Sequence, residues 1–150
     1  MRRIAPLAGA FLSLVIAGGI AQGRHRPRKS PHEEVVAAAR VATPPRKMTH
    51  ANGREFEEFD VVILSARLAA DDRPAEVSRT GSVHVVHDLT CGGTWLGLAA
   101  GDRIELKGEY VHPPDGRDLI HFTHPSGGPC RHGPPHADGW IRKADPGGPN

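Results

Sequence analysis

The sequence predicts an all-β domain, a small closed barrel of five strands, preceded by an export signal and a basic arm with one short helix. Three observations carry that expectation. Apolar or alternating segments of strand length recur between turn-forming residues from Phe59 onward. No helical period runs through the same stretch. Glycine and proline number 18 and 14 among 150 residues, too many for long helices or a coiled coil. A chain of this length supports one domain with a modest core.

The leading segment reads as a signal peptide over residues 1–23. Arg2 and Arg3 precede an uncharged apolar run from Ile4 to Ile20, and Ala21-Gln22-Gly23 offers small residues for cleavage near Gly23. Pro6, Gly9, Gly18 and Gly19 interrupt the run, which is short for a membrane span. After cleavage no transmembrane segment is expected, and the protein belongs in the periplasm or outside the cell. Residues 24–54 form a basic linker arm, with eight lysines and arginines against Glu33 and Glu34. In it, Ser30-Pro31-His32-Glu33 is a capping box, so Glu33 to Ala42 reads as a short helix stopped by Thr43-Pro44-Pro45.

The barrel domain is expected over residues 55–145, with 146–150 a disordered tail. Phe59 to Leu68 is a Val-, Ile- and Leu-rich strand ended by Asp71-Asp72-Arg73-Pro74. Ser82 to Leu89 alternates, with Val83, Val85, His87 and Leu89 on the inward face. Arg103 to Val111 alternates most cleanly: Ile104, Leu106, Gly108 and Tyr110 point one way, Glu105, Lys107 and Glu109 the other. Pro113-Pro114-Asp115-Gly116 turns the chain into Leu119 to Thr123, and Gly139 to Lys143 makes a fifth strand. Gly108 permits the sharp bend that small barrels need. An OB-like barrel follows, with an open β-sandwich as the alternative.

Three segments carry a family resemblance. Gly101-Asp102-Arg103-Ile104-Glu105-Leu106-Lys107-Gly108-Glu109-Tyr110, Leu119-Ile120-His121-Phe122-Thr123-His124-Pro125 and Gly139-Trp140-Ile141 resemble the domain-of-unknown-function 3465 family of small exported bacterial proteins. The resemblance spans about residues 59–143 and implies an OB-like fold and export. It implies no activity, and Pro125 stands where the family often has a second histidine.

Charge and chemistry narrow the function classes. Residues 55–150 hold nine basic and fifteen acidic side chains, a net of −6, which with export argues against nucleic acid as a partner. No Gly-x-Ser-x-Gly elbow is present, so nothing in the sequence supports a catalytic role. Histidine is the unusual residue, with seven in residues 55–150. His121, Thr123 and His124, with His87 as an added partner, are the candidate functional group, since His87 and His124 share the inward parity. Tyr110 and Trp140 are candidates for stacking a base or sugar, or for the core. Cys91 and Cys130 pair as a disulfide in an exported chain, worth about 3–4 kcal/mol. The rival use of Cys130 with His124, His132 and His136 is a zinc or other divalent site. The expected function is therefore a binding or structural module with no cofactor, and the alternative is a histidine-based metalloprotein, hydrolytic or not.

Overall fold

The computed structural model describes residues 32–144, except 79–80, 115, 128 and 131–134. The expected signal peptide, residues 24–31 of the arm and the expected tail lie outside these residues. Among the described residues there are seven strands: β1 (His32–Val41), β2 (Arg46–Thr49), β3 (Glu55–Leu68), β4 (Val83–Asp88), β5 (Arg103–Val111), β6 (Leu119–His121) and β7 (Trp140–Lys143). Hydrogen bonds connect β1-β3-β4-β6-β5, and β5 pairs back onto β1. The sheet therefore closes on itself into a five-stranded barrel, which excludes the open sandwich. Within the barrel β4 and β6 run parallel and the other pairs antiparallel. Outside this circuit, β2 pairs with β3, and β7 pairs with the first half of β5. Among the described residues there is no helix.

That last fact corrects the reading of the arm. Glu33 to Ala42, expected as a helix, lies in strand β1 and its exit, and the barrel begins at His32 rather than at Glu55. Alanine favours a helix in isolation, but ten residues cannot hold one in water. Pairing with β5 on one edge and β3 on the other supplies a full set of backbone partners instead. Val35, Ala37, Ala39 and Val41 then alternate inward, each at most 2 % exposed. Small alanines suit this position because Phe59, Ile63, Ile104 and Leu106 fill the same narrow interior. A register shift between Ala38 and Ala39 marks a β-bulge.

Gly139 to Lys143, expected as the fifth barrel strand, is instead the outlying β7, because β1 takes the closing place beside β5, and β2 is a further strand the sequence did not signal. The other strands follow the expected alternation with two local changes. β3 starts at Glu55, earlier than Phe59. β6 stops at His121 because Phe122 adopts a left-handed backbone with φ 52°. This turn reverses the side-chain parity after β6. Ile104, Leu106 and Ile120 share the core as expected, but Phe122 is half-buried outside it, while Thr123 and His124 are both buried. Gly108 is required by proximity: a Cβ there would lie 2.5 Å from the His121 carbonyl oxygen and 2.9 Å from Ile120 Cγ2. Cys91 and Cys130 form the expected disulfide, with Cα atoms 5.0 Å apart.

Candidate functional site

Strand β5 places the first group of candidate residues. Its outward row is Arg103, Glu105, Lys107 and Glu109, with β1 on one side and β6 on the other. The β5–β6 register puts His121 directly opposite Glu109. The β1–β5 register puts His32 opposite Val111, one diagonal step from Glu109. Three outward side chains from three adjacent strands therefore converge. The His32 Nδ1–H donates to Glu109 Oε1, and His121 Nε2 lies 3.6 Å from the same oxygen. One nitrogen or oxygen from each residue falls within 4.8 Å of the other two. The His121 Nε2 atom is buried and has no hydrogen-bond partner. Burial holds the His121 imidazole below the ordinary histidine range, with the Glu109 carboxylate offsetting part of that shift.

An aromatic stack fixes the His121 ring. It lies on Phe122 with centroids 4.0 Å apart, and Phe122 lies nearly parallel on His136 at 4.4 Å. The left-handed Phe122 backbone, costly for a bulky residue by roughly 1–3 kcal/mol, is what inserts that ring between two imidazoles. A cavity of about 50 Å³, bordered by Glu34, Gly108, Glu109, Phe122, His136 and Asp138, adjoins the carboxylate. It is the size of one or two water molecules.

The second group lies inside the barrel. Glu57 on β3 faces His87 on β4 across the sheet, and both point inward. Glu57 Oε2 accepts the Leu96 backbone N–H at 3.0 Å, whereas Oε1 is buried without a partner. Desolvation pushes the Glu57 carboxyl above the usual carboxylate range, and the Leu96 N–H counteracts part of this. His87 Nδ1 and Thr123 Oγ1 share a hydrogen bond of 2.9 Å. Burial drives His87 below the ordinary histidine range. The Thr94 backbone lies near enough to offset some of that without closing a normal hydrogen bond to Nε2. Gly93 explains the crowding: a Cβ there would sit 2.6 Å from His87 Nε2 and 2.4 Å from the Asp88 carbonyl oxygen.

The sequence-derived group is thus split. His87 and Thr123 meet in the interior, and His124 is buried there with Nδ1 donating to the Pro125 carbonyl at 3.0 Å. His121 points to the opposite face of the sheet and joins His32 and Glu109 instead. Of the expected metal set, His132 lies outside the described residues. His124 and His136 meet edge to face at 4.8 Å, and each commits Nδ1 to a backbone carbonyl, Pro125 and Ala137 respectively. Tyr110 is a core residue whose hydroxyl accepts the Ser78 N–H at 3.2 Å. Trp140 is half-buried on the outer face, stacked under the Arg142 guanidinium at 4.7 Å rather than sealing the interior. It borders a trough of about 240 Å³ floored by Val36, Ala38 and Ser65. His32, Glu57 and Glu109 are the functional candidates that the sequence reading missed. The alternation of β5 already aimed Glu109 outward, and the same parity applied to His121 would have paired them.

No family model, no curated protein and no solved structure matches the chain. No helix among the described residues is long and apolar enough to cross a membrane.

Proposed function

We propose that this protein is an exported β-barrel binding module whose ligand is a divalent transition metal held by His32, Glu109 and His121. The observation that carries the reading is the buried His121 Nε2, which lacks a hydrogen-bond partner and lies 3.6 Å from the Glu109 carboxylate that His32 also contacts. Two imidazoles and one carboxylate form a donor set suited to zinc; the His121–Glu109 spacing already matches two ligands of one ion, and the shorter His32–Glu109 contact would open to admit it. Three protein ligands leave a coordination position open, which fits a site that exchanges a ligand or water better than a closed structural centre. The Phe122 ring packed on His121 acts as the support that holds one ligand in place. Export is supported by the disulfide and by the leading apolar segment. The resemblance to the domain-of-unknown-function 3465 family accords with that compartment.

Metal analysis of the purified protein after zinc loading and desalting tests this reading. One retained equivalent is expected, and Glu109→Gln or His121→Ala should weaken binding by about 100-fold or more, since even supporting residues of such sites cost 10–100-fold. Wild-type protein that retains no zinc, or variants that bind as tightly as wild type, would contradict it.

A further inference from the structure

The two sulfurs of the Cys91–Cys130 disulfide occupy unlike surroundings. Cys91 is 1 % exposed, whereas Cys130 is only partly buried and follows the exposed Pro129. Arg54 Nη2 approaches Cys91 Sγ at 2.7 Å and also pairs with Asp88. The Cys91 backbone N–H donates to Asp88 Oδ1 at 2.9 Å, which fixes the sulfur against the guanidinium. Thiol–disulfide exchange proceeds by attack on one sulfur and departure of the other as thiolate. Access governs the first event, and a neighbouring cation favours the second. Both features point in one direction here.

We propose that this disulfide is an exchange site for an external dithiol, with attack directed to Cys130 and Cys91 as the leaving group. The incoming thiolate forms a bond to Cys130 Sγ, the Cys91–Cys130 bond breaks, and its electron pair remains on Cys91 Sγ beside Arg54. The second thiolate of the dithiol then attacks the mixed disulfide and releases Cys130. Two cysteines are reduced, the dithiol becomes a disulfide, and its two protons pass to the released thiolates or to water.

The reaction has a structural consequence because Cys91 begins the loop that covers the interior pair. Residues 89–99 are tied at their ends by hydrogen bonds of Leu89 and Thr90 to Glu55 and of Ala99 to Asp102, and between these by the disulfide, by the Cys91 and Gly93 N–H groups to Asp88, and by the Leu96 N–H to Glu57. Only the disulfide is covalent, and it spans 39 residues of chain. Exchange therefore loosens the cover over Glu57 and His87 while leaving the barrel ladders intact.

Oxidised protein treated with glutathione under native conditions, then acid-quenched and mapped by peptide mass spectrometry, tests the direction of attack. The adduct on Cys130 is expected to exceed that on Cys91 by tenfold or more. An equal distribution, a majority on Cys91, or no adduct at all would overturn the proposal. Arg54→Gln should slow reduction by dithiothreitol by about tenfold, reflecting the leaving group's dependence on thiolate stabilisation. An unchanged rate in folded Arg54→Gln protein would count against the role of Arg54, and the wild-type adduct map remains decisive if that variant does not fold. Hydrogen exchange of residues 89–99 should rise at least tenfold on reduction while β1 and β5 stay protected. A loop that stays equally protected after reduction would refute the coupling.

Discussion

Two histidine–glutamate groupings sit on opposite faces of one closed sheet, and they have opposite characters. On the outer face, His32, Glu109 and His121 remain partly open to solvent, and the carboxylate touches both imidazoles. On the inner face, Glu57 and His87 face each other across β3 and β4 under the 89–99 loop, and both are pushed by burial toward their neutral forms. Residue type is nearly the same in the two places. Strand parity and cover decide whether the carboxylate meets its imidazoles at the solvent boundary or inside the core.

Replacing one histidine on each face gives the largest contrast. His87→Ala should cost about 2–4 kcal/mol in denaturant unfolding, from the cavity and from the Thr123 hydroxyl left without its partner. His121→Ala should cost less, about 1 kcal/mol of metal-free stability, from loss of the Phe122 stack at a side chain that is 26 % exposed. Equal losses at both positions would erase the distinction. Gly93→Ala comes next, because its Cβ would collide with the Asp88 carbonyl and with His87. A loss of about 1–3 kcal/mol is expected from displacing the cover, measurable in the same unfolding assay.

The inner pair also predicts two opposed pH dependences. Glu57 is raised from an ordinary value of 4.5, so above that pH the unfolded chain ionises while the folded carboxyl stays protonated, and stability falls as pH rises toward its folded value. His87 is lowered from 6.5, so stability falls as pH drops from there toward its folded value, because the unfolded imidazole takes up the proton first. The charged neighbours on the flanking strands do not remove the effect: Lys47, opposite Glu57 on β2, pairs with Glu55, and Asp88, beside His87, pairs with Arg54. Glu57→Gln should abolish the decline that sets in as pH rises above 4.5 in thermal melts across pH, and an unaltered profile would show that Glu57 ionises freely in the fold. A modest effect is expected at Tyr110→Phe, which removes the bond from the Ser78 N–H for about 0.5–1.5 kcal/mol.

Parity was legible in the sequence wherever alternation ran unbroken. β5 coincides with the expected Arg103 to Val111, and the inward placement of Val83, Val85 and His87 on β4 follows from the same reading. It failed where local chemistry concealed the pattern. The capping box and the alanines of residues 30–39 signal a helix, so His32 went unrecognised as an outer-face neighbour of Glu109. Phe56 and Glu57 are consecutive buried residues at the start of β3, and a glutamate beside other acids reads as solvated. Phe122 adopts a backbone conformation that no residue-type preference announces, and everything after it changes face. The Cys91–Cys130 bridge was legible from cysteine number and compartment, whereas the Arg54 contact depends on a fold that brings residues 37 positions apart together.

Anomalous diffraction at the zinc edge, on crystals soaked in zinc, addresses the outer-face site most directly. The account predicts a single strong peak bonded to nitrogens of His32 and His121 and to a Glu109 carboxylate oxygen, at about 2.0–2.2 Å from each. A peak at His124 and His136 with none beside Glu109, or no ordered zinc on the barrel at all, would contradict it.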